Sequence, residues 1–236
     1  MLALALLAAL AAAAGLWRLW SFAALSPAPP EAPGPARLTG LPETLGEPDR
    51  PLRVLLLGTS LTARGDWPKR LEARLSACRP GGAEVRVLAR PGAAGPWGVS
   101  VTGRALRAFD GAPPDLLAIE FSINDASLWR GVPLARARAL LQKMLGEAEA
   151  AGVPALLATM NPAWGRKGLE RPGQRAYRAL YREAAREGRA ALLDTVPAWL
   201  ALPEAERRRL VPDGLHPGAE GMELVVEAFA AGVCGR

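Results

Sequence analysis

The segment Asp213-Gly214-Leu215-His216-Pro217 holds the one histidine of the 236-residue chain. Imidazole has an unperturbed pKa of about 6.5, so a neutral His216 can take a proton from a hydroxyl near neutrality. Asp213, three residues earlier, can accept the other ring N–H, fix the tautomer and stabilise the imidazolium as it forms. A base needs something to activate. Ser60, in Gly58-Thr59-Ser60-Leu61-Thr62 directly after the apolar run Val54-Leu55-Leu56-Leu57, stands where a strand passes into a loop. Ser60, Asp213 and His216 are therefore candidates for nucleophile, orienting acid and base, in that chain order. Each has a plainer reading when taken singly: a loop aspartate capping the helix that starts near Gly218, and a serine at a helix N-cap.

Acyl transfer through a serine also needs hydrogen-bond donors where negative charge builds on the carbonyl oxygen. Asn124 follows the apolar run Leu116-Leu117-Ala118-Ile119 and can present a side-chain NH₂. Gly95, in Arg90-Pro91-Gly92-Ala93-Ala94-Gly95, can present a backbone N–H where a side chain would obstruct substrate. The backbone N–H of Ser60 is the third candidate. An Asx-turn and an ordinary loop glycine are the plainer explanations for Asn124 and Gly95.

Groups scattered along the chain act together only if a scaffold gathers them. Five short apolar runs, at 53–57, 84–89, 115–120, 154–159 and 190–193, alternate with amphipathic segments that include 67–79, 133–151 and 174–187. Alternating β and α predicts a parallel sheet with right-handed crossovers and helices on both faces. In a 2-1-3-4-5 strand order the first and third strands are neighbours. The loops carrying Ser60 and Asn124 would then meet beyond the carboxyl ends of the strands, at the topological switch point where such sheets bind ligands.

Composition narrows the function classes. The chain is 50% hydrophobic and 22% charged, with a net charge of +6. Lysine occurs only at Lys69, Lys143 and Lys167, and the arginines are interleaved with glutamates on helical segments such as 175–187. That pattern describes solvated helix faces and argues against a nucleic-acid footprint. One histidine and two distant cysteines make no zinc-ligand cluster, and 58–64 lacks the Gly-Lys-Ser/Thr ending of a phosphate-binding loop, so neither a metal nor an organic cofactor is expected.

Residues 1–25 are mostly alanine, leucine and aromatics with a single charge, Arg18, and a membrane-spanning helix needs roughly 20 apolar residues. This is a membrane-directed segment, either a signal peptide or a transmembrane anchor. Trp17, Arg18 and Trp20 look like an interfacial belt and favour an anchor, whereas the alanine run at 11–14 leaves cleavage open. Residues 26–50 are rich in proline and alanine without periodicity and read as a linker, leaving 51–236 for one catalytic domain.

The ordered set of serine after the first strand, glycine after the second, Asn-Asp after the third and Asp-x-x-His before the last helix resembles the SGNH hydrolase superfamily, the GDSL-type lipases and esterases. The resemblance covers about residues 53–232. It implies a three-layer α/β/α sandwich of flavodoxin-like type with a five-stranded parallel sheet, here preceded by an N-terminal hydrophobic helix. It also implies a cofactor-independent serine ester hydrolase working through an acyl-enzyme. Carried over residue by residue, the nucleophile falls on Ser60, the base on His216 with Asp213 completing the triad, and the oxyanion hole on Ser60, Gly95 and Asn124. The chain departs from the family pattern at Thr59, where aspartate is usual, at Ser122, where glycine is usual, and at Arg90, where asparagine is usual. The last departure weakens the choice of Gly95 over Gly92, which rests on spacing.

The resemblance implies an ester substrate built on a glycan, a lipid or a small molecule, and it favours an extracytoplasmic domain, membrane-anchored or secreted. Two other outcomes stay open: transfer of the acyl group to a sugar hydroxyl, and a non-catalytic envelope protein that binds without turnover. Trp164, in the segment 160–168 after the fourth strand, is a candidate substrate-binding residue, with Trp97 and Trp129 on the same edge; packing of loops onto the sheet is the alternative. Cys78 and Cys234 end the first and last helices, which run side by side in a flavodoxin-like fold. They either pair, in an exported domain, or remain free thiols.

Overall fold

The computed structural model describes residues 2–25 and 28–235. Among the described residues six strands form one sheet: β1 (Arg37–Thr39), β2 (Leu52–Gly58), β3 (Ala83–Ala89), β4 (Leu116–Glu120), β5 (Ala155–Ala158) and β6 (Ala191–Asp194). Their order is β1-β6-β5-β4-β2-β3, with β2 to β6 parallel and β1 antiparallel to β6. The five runs seen in the sequence are β2 to β6 in the expected arrangement. The sixth strand corrects the five-stranded expectation.

Side-chain alternation along the strands divides the core into two layers. On β2, Leu55 and Leu57 face one cluster, which includes Leu117, Ile119, Leu157 and Tyr177, while Val54 and Leu56 face the other, which includes Leu116, Ala118, Leu156 and Phe229. Residues of the helices Gly95–Ala105, Leu134–Ala150 and Gln174–Arg186 fill the first cluster; those of Trp67–Cys78 and Ala219–Cys234 fill the second. Both layers are apolar, so the strands read as nearly continuous hydrophobic runs, as expected of a parallel sheet covered on both faces. Cys78 and Cys234 close a disulfide with Cα atoms 5.7 Å apart, tying the ends of the two helices on the second face.

The added strand comes from the segment that reads as a linker. Besides pairing Arg37–Thr39 with β6, this segment sends Leu45 into the core and buries Glu31 against Arg178 and Arg182. The apolar helix Leu2–Ser21 buries none of residues 4–21 and is long enough, at about 30 Å, to cross a bilayer. Just beyond it, Phe22 enters the core beside Tyr177, with ring centroids 6.5 Å apart, and Arg18 donates to the carbonyl of Leu128.

Candidate active site

The central strands β2 and β4 are in register at their carboxyl ends, Gly58 opposite Glu120, so the chain leaves both strands side by side. Gly58 is required there: a Cβ would lie 2.4 Å from Thr62 Oγ1 and 2.9 Å from Glu120 Oε1. Thr59 caps the short helix Ser60–Ala63, accepting from the N–H of Leu61. Ser60 is thus in a first helical turn, where N–H groups lack carbonyl partners within the helix. After β4, the helix Ser122–Asp125 carries Asn124.

The remaining loop brings His216. Asp213 Oδ1 accepts from the N–H groups of Leu215 at 2.8 Å and His216 at 2.7 Å, which folds the turn back on its own aspartate. Gly214, at φ +77°, is held closely enough against the Trp164 carbonyl that a Cβ would lie 2.5 Å from that oxygen. Buried Asn161 donates to the Leu215 carbonyl at 2.9 Å and pins the turn to the end of β5. His216 Nε2 then lies 2.9 Å from Ser60 Oγ, and Nδ1 lies 2.6 Å from Asp213 Oδ2. Burial pushes the Asp213 carboxyl up, but the His216 ring and the two backbone N–H groups outweigh it and hold the group at about 2. Asp213 is ionised at neutral pH. The structure brings Ser60, His216 and Asp213 into one hydrogen-bonded chain.

Ser60, Asn124 and His216 line a cleft of about 360 Å³ together with Gly92, Trp129, Arg64, Arg130, Lys167 and Arg171. Asn124 Nδ2 donates to the Ala93 carbonyl at 2.8 Å, and its Oδ1 faces Arg171 Nη2 at 3.5 Å. Arg171 is itself buried and donates to the Ile123 carbonyl at 2.9 Å, so it fixes which end of the Asn124 amide is the donor. Neither Arg171 nor Asn161 stands out in the sequence: one is an arginine among many, the other an asparagine followed by proline.

Two expected residues are placed differently. Gly95 is buried, its N–H donates to Asp125 Oδ1 at 2.7 Å, and the glycine that lines the cleft is Gly92, at φ +76°. The reason is the loop path: a left-handed turn at Gly92 brings that residue to the surface and drives Gly95 into the first turn of the helix Gly95–Ala105. Trp164 is also absent from the Ser60 cleft. It lines a neighbouring cavity of about 520 Å³ with Arg166, Arg207 and Asp213, and its ring packs 6.0 Å from Trp199. The tryptophan that lines the Ser60 cleft is Trp129, 75% exposed, while Trp97 packs edge-on to Phe121.

The departure at Thr59 has a structural counterpart. Glu120 is buried and accepts from Thr59 N at 3.0 Å, Thr59 Oγ1 at 2.8 Å and Thr62 Oγ1 at 3.0 Å. An aspartate at 59 would set a second carboxylate against it; threonine supplies a donor. Burial pushes Glu120 up to about 7 despite these donors. Asp125, buried with the Gly95 N–H as its hydrogen-bond donor, is likewise raised to about 7.

Residues 56–224 match the GDSL-like Lipase/Acylhydrolase family. Among solved structures, a lipase/acylhydrolase from Enterococcus faecalis superposes with a TM-score of 0.66 at 24% identity, covering 78% of this chain and 96% of its own. Axe2, an acetylxylan esterase from Geobacillus stearothermophilus, gives 0.62 at 18% identity, covering 79% and 96%. A GDSL-like lipase from Bacteroides thetaiotaomicron gives 0.61 at 14%, covering 77% and 87%. At these identities the likeness is one of fold. No curated protein sequence matches the chain.

Proposed function

The chain belongs to the GDSL-like lipase/acylhydrolase family and is a serine ester hydrolase of the SGNH type; from that premise we propose that it cleaves O-acyl esters of a carbohydrate, lipid or small molecule through an acyl-enzyme on Ser60. The observation that carries the reading is Ser60 Oγ at 2.9 Å from His216 Nε2, with Nδ1 of the same ring 2.6 Å from Asp213. A serine hydroxyl is a poor nucleophile until a base removes its proton.

In the proposed mechanism His216 takes the Ser60 proton as Oγ attacks the ester carbonyl. Asp213 holds the ring and stabilises the imidazolium. The oxyanion is held by the Ser60 N–H and the Asn124 amide, preorganised donors that cost no reorientation during the reaction. The Gly95 N–H, engaged with Asp125, is left out of this set. The carbon–oxygen bond to the alcohol breaks, and the alcohol leaves with the proton from His216. Water then attacks the acyl-enzyme with His216 again as base, freeing the acid and restoring Ser60.

Hydrolysis of p-nitrophenyl esters of increasing acyl length, beside Ser60→Ala and His216→Ala, tests the reading. Turnover lost in both variants, with a fluorophosphonate attached to Ser60 of the parent, is expected. A folded parent that neither turns over nor labels would overturn it.

The proposal extends to place and boundaries. Residues 2–21 are assigned as a membrane anchor, the folded unit as beginning at Phe22, and the catalytic domain as extracytoplasmic, where the Cys78–Cys234 bridge persists. Recovery of the mature chain in the soluble fraction, with its N-terminus beyond residue 25, would sink the anchor assignment.

A further inference from the structure

Resting on the esterase reading above, we propose that the ester taken by the Ser60 cleft carries an anionic group, a carboxylate or a phosphate, and that Arg64 and Arg130 hold it. The charged side chains lining the cleft, apart from His216, are Arg64, Arg130, Lys167, Arg171 and Glu170. Glu170 is already engaged, 3.3 Å from both Lys167 Nζ and Arg171 Nη1. Asp213 turns one oxygen to His216 and borders the neighbouring cavity. Arg64 and Arg130 form no ion pair among the described residues. Many other arginines of this chain do, as in Arg50 with Asp115, Arg70 with Glu223, Arg138 with Glu183 and Arg209 with Glu220.

Both guanidinium groups belong to segments beside the reacting atoms. The N–H of Arg64 closes the turn that starts at the Ser60 carbonyl, at 3.1 Å, so this side chain is rooted one turn from the nucleophile. Arg130 Nη1 is 3.3 Å from where a Cβ on Gly92 would sit, which lays it over the Gly92 turn that lines the cleft. In the open cleft both cations are hydrated. A substrate that fills the cleft displaces that water and lowers the local dielectric, which raises the cost of two uncompensated positive charges. An anion on the substrate removes that cost, and the planar fork of arginine matches carboxylate and phosphate oxygens. The positive walls also concentrate anions at the mouth.

The test compares matched esters on the full-length chain in detergent: p-nitrophenyl hemisuccinate against p-nitrophenyl butyrate, and 1-butyrylglycerol 3-phosphate against 1-butyrylglycerol. The first pair puts the anion on the acyl side, the second on the alcohol side. We expect kcat/KM to favour the anionic member of at least one pair by about tenfold or more, and rising salt to compress that preference. Arg64→Gln and Arg130→Gln should each reduce the anionic-to-neutral ratio severalfold, while Arg74→Gln, which removes the same charge from the outer helix Trp67–Cys78, leaves it in place. A palmitoyl phosphate ester in mixed micelles, set beside the butyryl one, distinguishes a lipid headgroup from a soluble phosphate as the source. Equal kcat/KM within both pairs, on an enzyme that turns over and labels at Ser60, overturns the anion assignment alone. Absence of turnover and of labelling overturns the esterase reading and this inference with it.

Discussion

Glu31 lies between two arginines, with Oε2 2.5 Å from Arg178 Nη2 and Oε1 2.7 Å from Arg182 Nη1, and it is the only carboxylate that Arg178 meets among the described residues. Arg178 is 2% exposed. Removing one member of a buried pair leaves the other charged and unsolvated, which typically costs about 3–5 kcal/mol. A chain begun at residue 51 loses Glu31 and β1 together, whereas one begun at 28 keeps both. Urea unfolding should find the shorter chain less stable by about that amount or more, and Glu31→Gln in the longer chain should by itself reproduce much of the loss. Equal midpoints for the two chains would show the segment to be dispensable.

Asp213 tests the proposed triad without removing the nucleophile or the base. Asparagine at 213 still accepts from Leu215 and His216 N–H groups, yet it cannot stabilise an imidazolium and can favour the wrong ring tautomer. Asp213→Asn should lower kcat by about 10³–10⁴-fold with little change in KM. A loss of less than tenfold would remove Asp213 from the mechanism.

Asn124 is expected to act on the transition state more than on substrate binding. Asn124→Ala should lower kcat by about 10²–10³-fold, the usual effect of deleting one oxyanion donor, while KM moves little. Arg171→Gln loosens the Asn124 amide, which keeps its bond to the Ala93 carbonyl but loses the partner that faces its oxygen, and should give a smaller loss in kcat. If KM rises and kcat holds in Asn124→Ala, the residue binds substrate and does not stabilise the oxyanion.

Glu120 and Asp125 make stability depend on pH in the neutral range. Both fold with their carboxyl pKa raised to about 7 by burial. In the unfolded chain they titrate near 4, so between about pH 4 and 7 the folded state holds more protons and stability falls as pH rises, by up to about 1.4 kcal/mol per pH unit for each group. Asp213 and Glu31 act in the opposite sense: their folded pKa is depressed, so their contribution is present above about pH 4 and is lost as pH falls below it. Thermal unfolding should therefore give a higher Tm near about pH 5 than near about pH 8. Glu120→Gln or Asp125→Asn should flatten that slope.

The Cys78–Cys234 bridge spans 156 residues of sequence, and closing so long a loop restricts the unfolded chain strongly. Cys78→Ser with Cys234→Ser should cost about 2–5 kcal/mol, read from urea unfolding of the oxidised and the bridge-free proteins. The hydrolysis rate of the folded protein should be unaffected, because the bridge lies at the other ends of helices that pack on the sheet. Identical unfolding of the two forms would mean that the bridge does not stabilise the fold.

The sequence by itself determined the five apolar runs that become the parallel strands β2 to β6, and it singled out Ser60, Asn124, Asp213 and His216 as candidates, while their strand order followed from the family resemblance. Those features leave local marks: apolar runs long enough to be buried on both faces, Ser60 and Asn124 just past the points where two such runs end, and an Asp-x-x-His just before the last helix. The left-handed hairpin of backbone at Gly92 was not local in this way, because any of several turns fits Arg-Pro-Gly-Ala-Ala-Gly, and only packing against Asp125 decides which glycine faces the cleft. The same holds for Trp164, which a closely held Gly214 places on the far side of the Asp213 turn from Ser60. β1 has three residues and no hydrophobic period; it exists because β6 offers an unpaired edge and because Arg178 and Arg182 require a carboxylate. Tertiary structure decided these because each depends on hydrogen-bonding and charge demands set by residues more than a hundred positions away, or on a loop path set by packing, and neither leaves a pattern in the neighbouring sequence.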